Sequence, residues 1–266
     1  MGKRRKGRGK YKKLHSSKLM DKILDALDDR EPLSVVNVGA TESFVMAQYT
    51  VLSEEEFMNH DEAKVANRGA IRGFYHRGIT FPNIEARDMA VEAVRNADIV
   101  GYNTIVHTID GGLLTEKVFE VNNIWPRYVF EGYIRRVLML SQQEMFEEML
   151  EERKILLVSS IAEDVREAMN QKKDLQRRLG YEIVGAIPIW GYDELEETKK
   201  KIDEHEFDLC LLAAGTNALM LADHVKRVHG KVAFDIGFGM ETMITGEVFE
   251  DGWLNGIIGL DRLMKM

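Results

Sequence analysis

Cysteine is almost absent: Cys210 is the single one among 266 residues, so no intramolecular disulfide staples the chain. It lies in an apolar run and reads as a core residue suited to a reducing, cytoplasmic setting. Proline is scarce too, at four, and the composition excludes collagenous and wholly disordered classes. No apolar stretch approaches the roughly 18–20 residues that cross a bilayer, so no transmembrane helix is expected. The basic N-terminus leads into no apolar segment of the signal-peptide kind. Motifs are missing as well. There is no Walker A pattern, and Gly237-Phe238-Gly239 stops short of a dinucleotide-binding G-x-G-x-x-G. A serine-hydrolase elbow is lacking, and the seven histidines have no metal-ligand spacing with a second His or Cys.

What is present begins with an uneven charge. The formal net charge is −8, yet residues 1–18 hold nine Lys/Arg and no acid. The remaining 248 residues carry 27 basic and 44 acidic side chains, a net of −17. Residues 1–18 have too little apolar surface to bury, so a disordered arm is expected there, followed by one domain over residues 19–266. Contact of that arm with an anionic surface, giving a peripheral membrane location, is one reading. A solvated tail is the other. Nucleic acid is not an expected partner, because the acidic body would repel it.

Hydrophobic periodicity predicts a helix over Leu19–Leu27, a strand over 33–38, a helix over 41–50 and another from Pro82 to Ala97. Residues 103–153 read as a helical insertion, with Phe130, Tyr133, Ile134, Val137 and Leu138 forming one stripe. Capping-box spacing occurs at Ser53/Glu56, Ser141/Glu144 and Ser160/Glu163. From Lys154 onward, apolar strands alternate with helices, at 154–159, 182–187, 207–213 and 231–237. Near-continuous apolar strands separated by helices predict an α/β fold: a Rossmann-like, mostly parallel sheet with helices on both faces.

In such sheets ligands bind beyond the carboxyl ends of the strands. That rule nominates Gly39 to Glu42, Ser159-Ser160, Trp190 to Asp193, Ala214 to Asn217 and Asp235 to Glu241. The helix after Gly215 would offer an anion its N-terminus, with Thr216 and Asn217 as added donors. Equally, Gly215 would permit a tight turn and Thr216 would cap the helix.

The run Ser34 to Glu42 resembles the opening strand and turn of the GT-D-fold glycosyltransferases. The likeness continues in order through Lys154 to Val158, Ile187-Pro188 with Tyr192-Asp193, Leu211 to Thr216 and Phe234 to Gly237. It implies inverting transfer of a sugar from a nucleotide-sugar, UDP-sugars favoured, to a cell-surface glycan or glycoprotein, with Mn²⁺ or Mg²⁺. Carried onto this chain, it places donor binding at Gly39, Ser159, Asp193, Gly215, Thr216 and Asn217. Catalysis falls to Asp235, which ends a buried strand, and to Glu42, also the candidate metal ligand. Asp193 and Glu241 are further candidate bases, and an arginine of the Arg68–Arg77 segment would compensate phosphate charge.

The family's Asp-x-Glu pattern is incomplete, since Ala40 occupies the Asp position, and Phe238 and Met240 replace a histidine and an aspartate. Two other readings therefore stay open: an inactive nucleotide-sugar-binding relative, or another Rossmann-like enzyme using S-adenosylmethionine or NAD.

Overall fold

The computed structural model describes residues 11–68 and 78–266. Eight strands form one sheet: β1 (Lys12–Leu14), β2 (Leu33–Val38), β3 (Ile99–Tyr102), β4 (Tyr128–Glu131), β5 (Lys154–Ser159), β6 (Glu182–Ile187), β7 (Leu209–Ala213) and β8 (Val232–Asp235). Their order is β1-β4-β3-β2-β8-β7-β5-β6, and every pairing is parallel. Alternate residues face opposite sides of a strand, so each central strand feeds two cores. Val36 and Val38 pack with Phe44, Ala90 and Leu219 on one face. Val35 packs with Leu19, Ile23 and Phe146 on the other. Cys210 lies fully inside the first core, where burial pushes its thiol pKa up and suppresses reactivity.

From β2 the chain steps outward through β3 and β4. It then returns to build the other half through β5, β6 and β7, and β8 docks against β2. The β2–β8 seam is therefore the place where strand order reverses, and a crevice opens above its carboxyl ends.

Two expectations change here. The expected arm over residues 1–18 is too long: Lys12–Leu14 pairs with β4, and Ser16–Asp28 is a helix. The edge of β4 captures this segment through backbone hydrogen bonds, which require no apolar side chains. Leu14 is buried and the Tyr11 hydroxyl accepts from that of Tyr102 at 3.1 Å. Residues 1–10 lie outside the described residues.

The expected helical insertion over 103–153 contains β4, a strand of the sheet between β1 and β3. Phe130 belongs to that strand rather than to a helical stripe. Of the three capping boxes, Ser53/Glu56 forms. The helices starting at Gln143 and Ala162 have no side-chain cap, because their N-cap residues are Gln142 and Ile161. Among the described residues, no helix is long and apolar enough to cross a membrane.

Candidate active site

The carboxyl ends of the central strands open onto a cleft of about 460 Å³. Its floor is the end of β8. Asp235 is buried there, its Oδ1 accepting from Arg135 Nη1 at 2.6 Å and its Oδ2 from the Asn37 N–H at 3.3 Å. Arg135 arrives on the short turn Gly132–Arg136 that follows β4, and it also donates to the Asp235 carbonyl at 3.3 Å. Burial pushes the Asp235 carboxyl pKa up, and the guanidinium opposes that rise.

Gly237 makes this arrangement possible. Its φ is +51°, and a Cβ there would stand 2.4 Å from Arg135 Nη1. Gly237→Ala combines left-handed strain with a collision, so it is expected to cost about 1–3 kcal/mol in urea unfolding. An unchanged unfolding midpoint would show that Arg135 has room to move.

Glu42 lies in the first turn of the helix Ala40–Ala47, and its Oε2 accepts from the N-cap N–H of Gly39 at 2.9 Å. Its carboxyl is raised, first by desolvation and then by the nearby Asp235 charge, against backbone hydrogen bonds and Arg135. The Glu42 backbone N–H also donates to this carboxylate, and among the described residues no other residue donates to Oε1.

Opposite, the turn Ala214–Thr216 follows β7. The N–H groups of Asn217, Ala218 and Leu219 bond back to the carbonyls of Ala214, Gly215 and Thr216. Those of Gly215 and Thr216 find no acceptor among the described residues. The Thr216 hydroxyl is buried without a partner, and no acidic residue occupies the first turn of the helix it precedes. Unpaired donors at an unneutralised helix start suit an anion.

An aromatic wall completes the cleft. The Arg136 guanidinium lies 4.4 Å from the Tyr133 ring and 4.7 Å from that of Phe238, and it pairs with Asp251 at 2.8 Å. Phe238 stacks on Phe249, with ring centroids 4.4 Å apart. Glu241 also lines the cleft, its carboxyl raised by burial.

The structure thus brings Gly39, Glu42, Ser159, Gly215, Thr216, Asp235 and Glu241 to one cleft. Ser159 uses its hydroxyl locally, accepting from the Ile161 N–H at 3.3 Å. Asp193 and Asn217 are not among the lining residues. Asp193 is exposed in the turn Tyr192–Glu194, and Asn217 is buried, donating from Nδ2 to the Gly191 carbonyl at 3.0 Å. Of the Arg68–Arg77 segment, residues 69–77 lie outside the described residues. A second hollow of about 520 Å³ lies at the amino ends of β2, β3 and β4, beside Lys22, Asp29 and Trp125. The strand-end rule favours the first cleft.

A family model for the GT-D fold-like domain matches residues 14–243, most of the chain. The chain belongs to the GT-D-like family. A solved structure, described as showing that the highly conserved domain of unknown function 1792 has a distinct glycosyltransferase fold, is similar with a TM-score of 0.59. The two share 15% identity over 91% of this chain and 84% of that one, so the likeness concerns the fold. No curated protein matches.

The dication implied for GT-D proteins can be tested against the residues present. Ala40 supplies no side-chain oxygen, Glu42 offers only Oε1 because its Oε2 serves Gly39, and both oxygens of Asp235 accept hydrogen bonds. Mg²⁺ and Mn²⁺ want a shell of hard oxygens. The fixed Arg135 guanidinium, beside Asp235, already supplies positive charge. These residues do not fit such an ion. Arg135 is the residue that sequence reading missed. Its signal was a charged Arg135-Arg136 pair inside a largely apolar stretch from Tyr128 to Leu140 whose other charge is Glu131.

Proposed function

We propose that this GT-D-like protein transfers a sugar from a nucleotide-sugar, a UDP-sugar foremost, to a hydroxyl of a glycan or glycoprotein, with inversion and without a metal in the cleft. One observation carries the reading: the ion pair of half-buried Arg135 with buried Asp235 lines the same cleft as the unpartnered Thr216 hydroxyl. Glycosyl transfer needs positive charge and donors for the departing nucleoside diphosphate, and a base for the acceptor hydroxyl. Arg135 and the Gly215-Thr216 turn supply the first. Glu42 supplies the second through Oε1. Asp235 positions Arg135.

In the step itself, the acceptor O–H gives its proton to Glu42 while its oxygen bonds to the anomeric carbon. The bond from that carbon to the phosphate oxygen breaks, and the diphosphate leaves with the electron pair. Tyr133 and Trp253 line the cleft with rings that base or sugar could meet. The six Lys/Arg among residues 1–10 would hold the protein peripherally at an anionic cytoplasmic surface.

Calorimetric titration with UDP-, GDP- and dTDP-sugars, in EDTA and in Mn²⁺, tests this. A UDP-sugar is expected to bind equally in both, and Thr216→Val to weaken it by about 5- to 20-fold. Failure of all donors would overturn the proposal, and binding in Mn²⁺ alone would overturn its metal-free form. Ala40 favours a second reading, an inactive donor-binding relative. Tight donor binding with no nucleotide release against any acceptor panel would support that instead.

A further inference from the structure

Before the amino ends of β7 and β8, away from the cleft, two histidines and an aspartate meet. The helix Asn217–His224 continues into a π-helical turn, Val225–His229. This wider turn brings residues five apart towards one side, a geometry that recurs at functional sites. Here it sets both His224 and His229 on Asp203, the last residue of the helix Leu195–Asp203. Their Nε2 atoms lie 2.7 Å and 2.8 Å from the same oxygen, Asp203 Oδ1. The three ligand atoms lie within 4.8 Å of one another, and no other such trio occurs among the described residues.

The surroundings suit a small ion. The two imidazoles are half-buried with ring centroids 5.5 Å apart, and Phe207 backs His229 at 5.3 Å. Asp203 is exposed, which leaves an entry path. Phe207 precedes β7 whereas Thr216 follows it, so the trio and the cleft lie at opposite ends of that strand.

We propose that Asp203, His224 and His229 bind a first-row transition dication, Zn²⁺ foremost. Two imidazole nitrogens and one carboxylate oxygen are a borderline donor set that suits Zn²⁺, with a fourth, open position for water. Mg²⁺ and Ca²⁺ want all-oxygen shells and are poorly served. The ion would replace the two hydrogen bonds on Oδ1 and clip the helix bearing Asp203 to the one that begins beside Thr216.

The test uses the full chain, stripped with EDTA and then freed of chelator. Titration with Co²⁺ is expected to give visible d–d bands saturating at one ion per chain, bleached by one equivalent of Zn²⁺, and Zn²⁺ is expected to raise Tm. His224→Gln with His229→Gln should abolish both responses, and Asp203→Asn should weaken them at least tenfold. Glu42→Gln should leave the bands intact, which separates this site from the cleft. No bands and no Tm rise in the wild type would overturn the proposal. So would bands that persist in the histidine double variant and in Asp203→Asn, both checked as folded by circular dichroism. Donor binding is read separately, so failure here leaves the glycosyl-transfer reading standing.

Discussion

Arg135→Met is expected to destabilise the protein by about 3–5 kcal/mol and to reduce nucleotide-sugar turnover at least a hundredfold. The size follows from what the change leaves behind. Asp235 is buried, and without Arg135 its carboxylate keeps only backbone donors, the Asn37 N–H at 3.3 Å and the N–H of Gly237, with no positive charge beside it. An isolated buried charge is far costlier than an absent ion pair.

The pH dependence has a definite sign. Removing the guanidinium removes the opposing influence on a carboxyl already raised by burial, so its folded pKa rises further above its unfolded value. A group with a raised folded pKa binds its proton more tightly when folded. The stability deficit should therefore be small below the unfolded pKa and grow as pH rises through the folded one. Urea unfolding of wild type and variant across that range checks this.

Arg135→Met combined with Asp235→Asn separates the two roles. The double variant should regain most of the stability, since no buried charge is left, while donor affinity stays lost. Recovery of both would mean that Arg135 serves folding alone.

Legibility in the sequence followed the physics of each element. Strands β2, β5, β7 and β8 are buried on both faces, and their near-continuous apolar runs announce a parallel sheet. The strand-end rule then gathers Glu42, Ser159, Thr216 and Asp235 without any structure. β4 was hidden because four residues, Tyr128 to Glu131, run directly into the apolar residues of the next turn. Periodicity cannot divide a strand from a helix at that length. β1 was hidden for a different reason: its sequence, Lys-Lys-Leu, is held by backbone pairing on an open edge. Arg135 and Asp235 are 100 positions apart, and the register that joins them is set by β4 and β8. The absence of metal-ligand spacing read from the histidines is overturned at His224 and His229: their spacing is one zinc ligands use, but it stood without a cysteine pair, and the third group, Asp203, is distant in sequence.

Glu42→Gln is expected to cut transfer by about 10²- to 10⁴-fold while leaving the fold intact. A glutamine at the third helical position still offers an oxygen to the Gly39 N–H, so the cap survives the change. What it removes is the proton acceptor. Desolvation and the Asp235 charge raise the Glu42 carboxyl above its ordinary range, which brings its basicity closer to neutral pH. The base must be deprotonated to act. Wild-type turnover should therefore fall as pH drops through this raised pKa, with a midpoint above that of an ordinary glutamate. The residual activity of Glu42→Gln should lack that limb. Asp235→Asn provides the control. Removing the neighbouring negative charge should lower the Glu42 pKa and shift the acidic limb of the rate profile toward lower pH, whatever it does to the maximal rate. A limb that stays in place in Asp235→Asn, or that persists in Glu42→Gln, would assign the base to another carboxylate of the cleft. Glu241 would then be next, being raised by burial and lining the same walls.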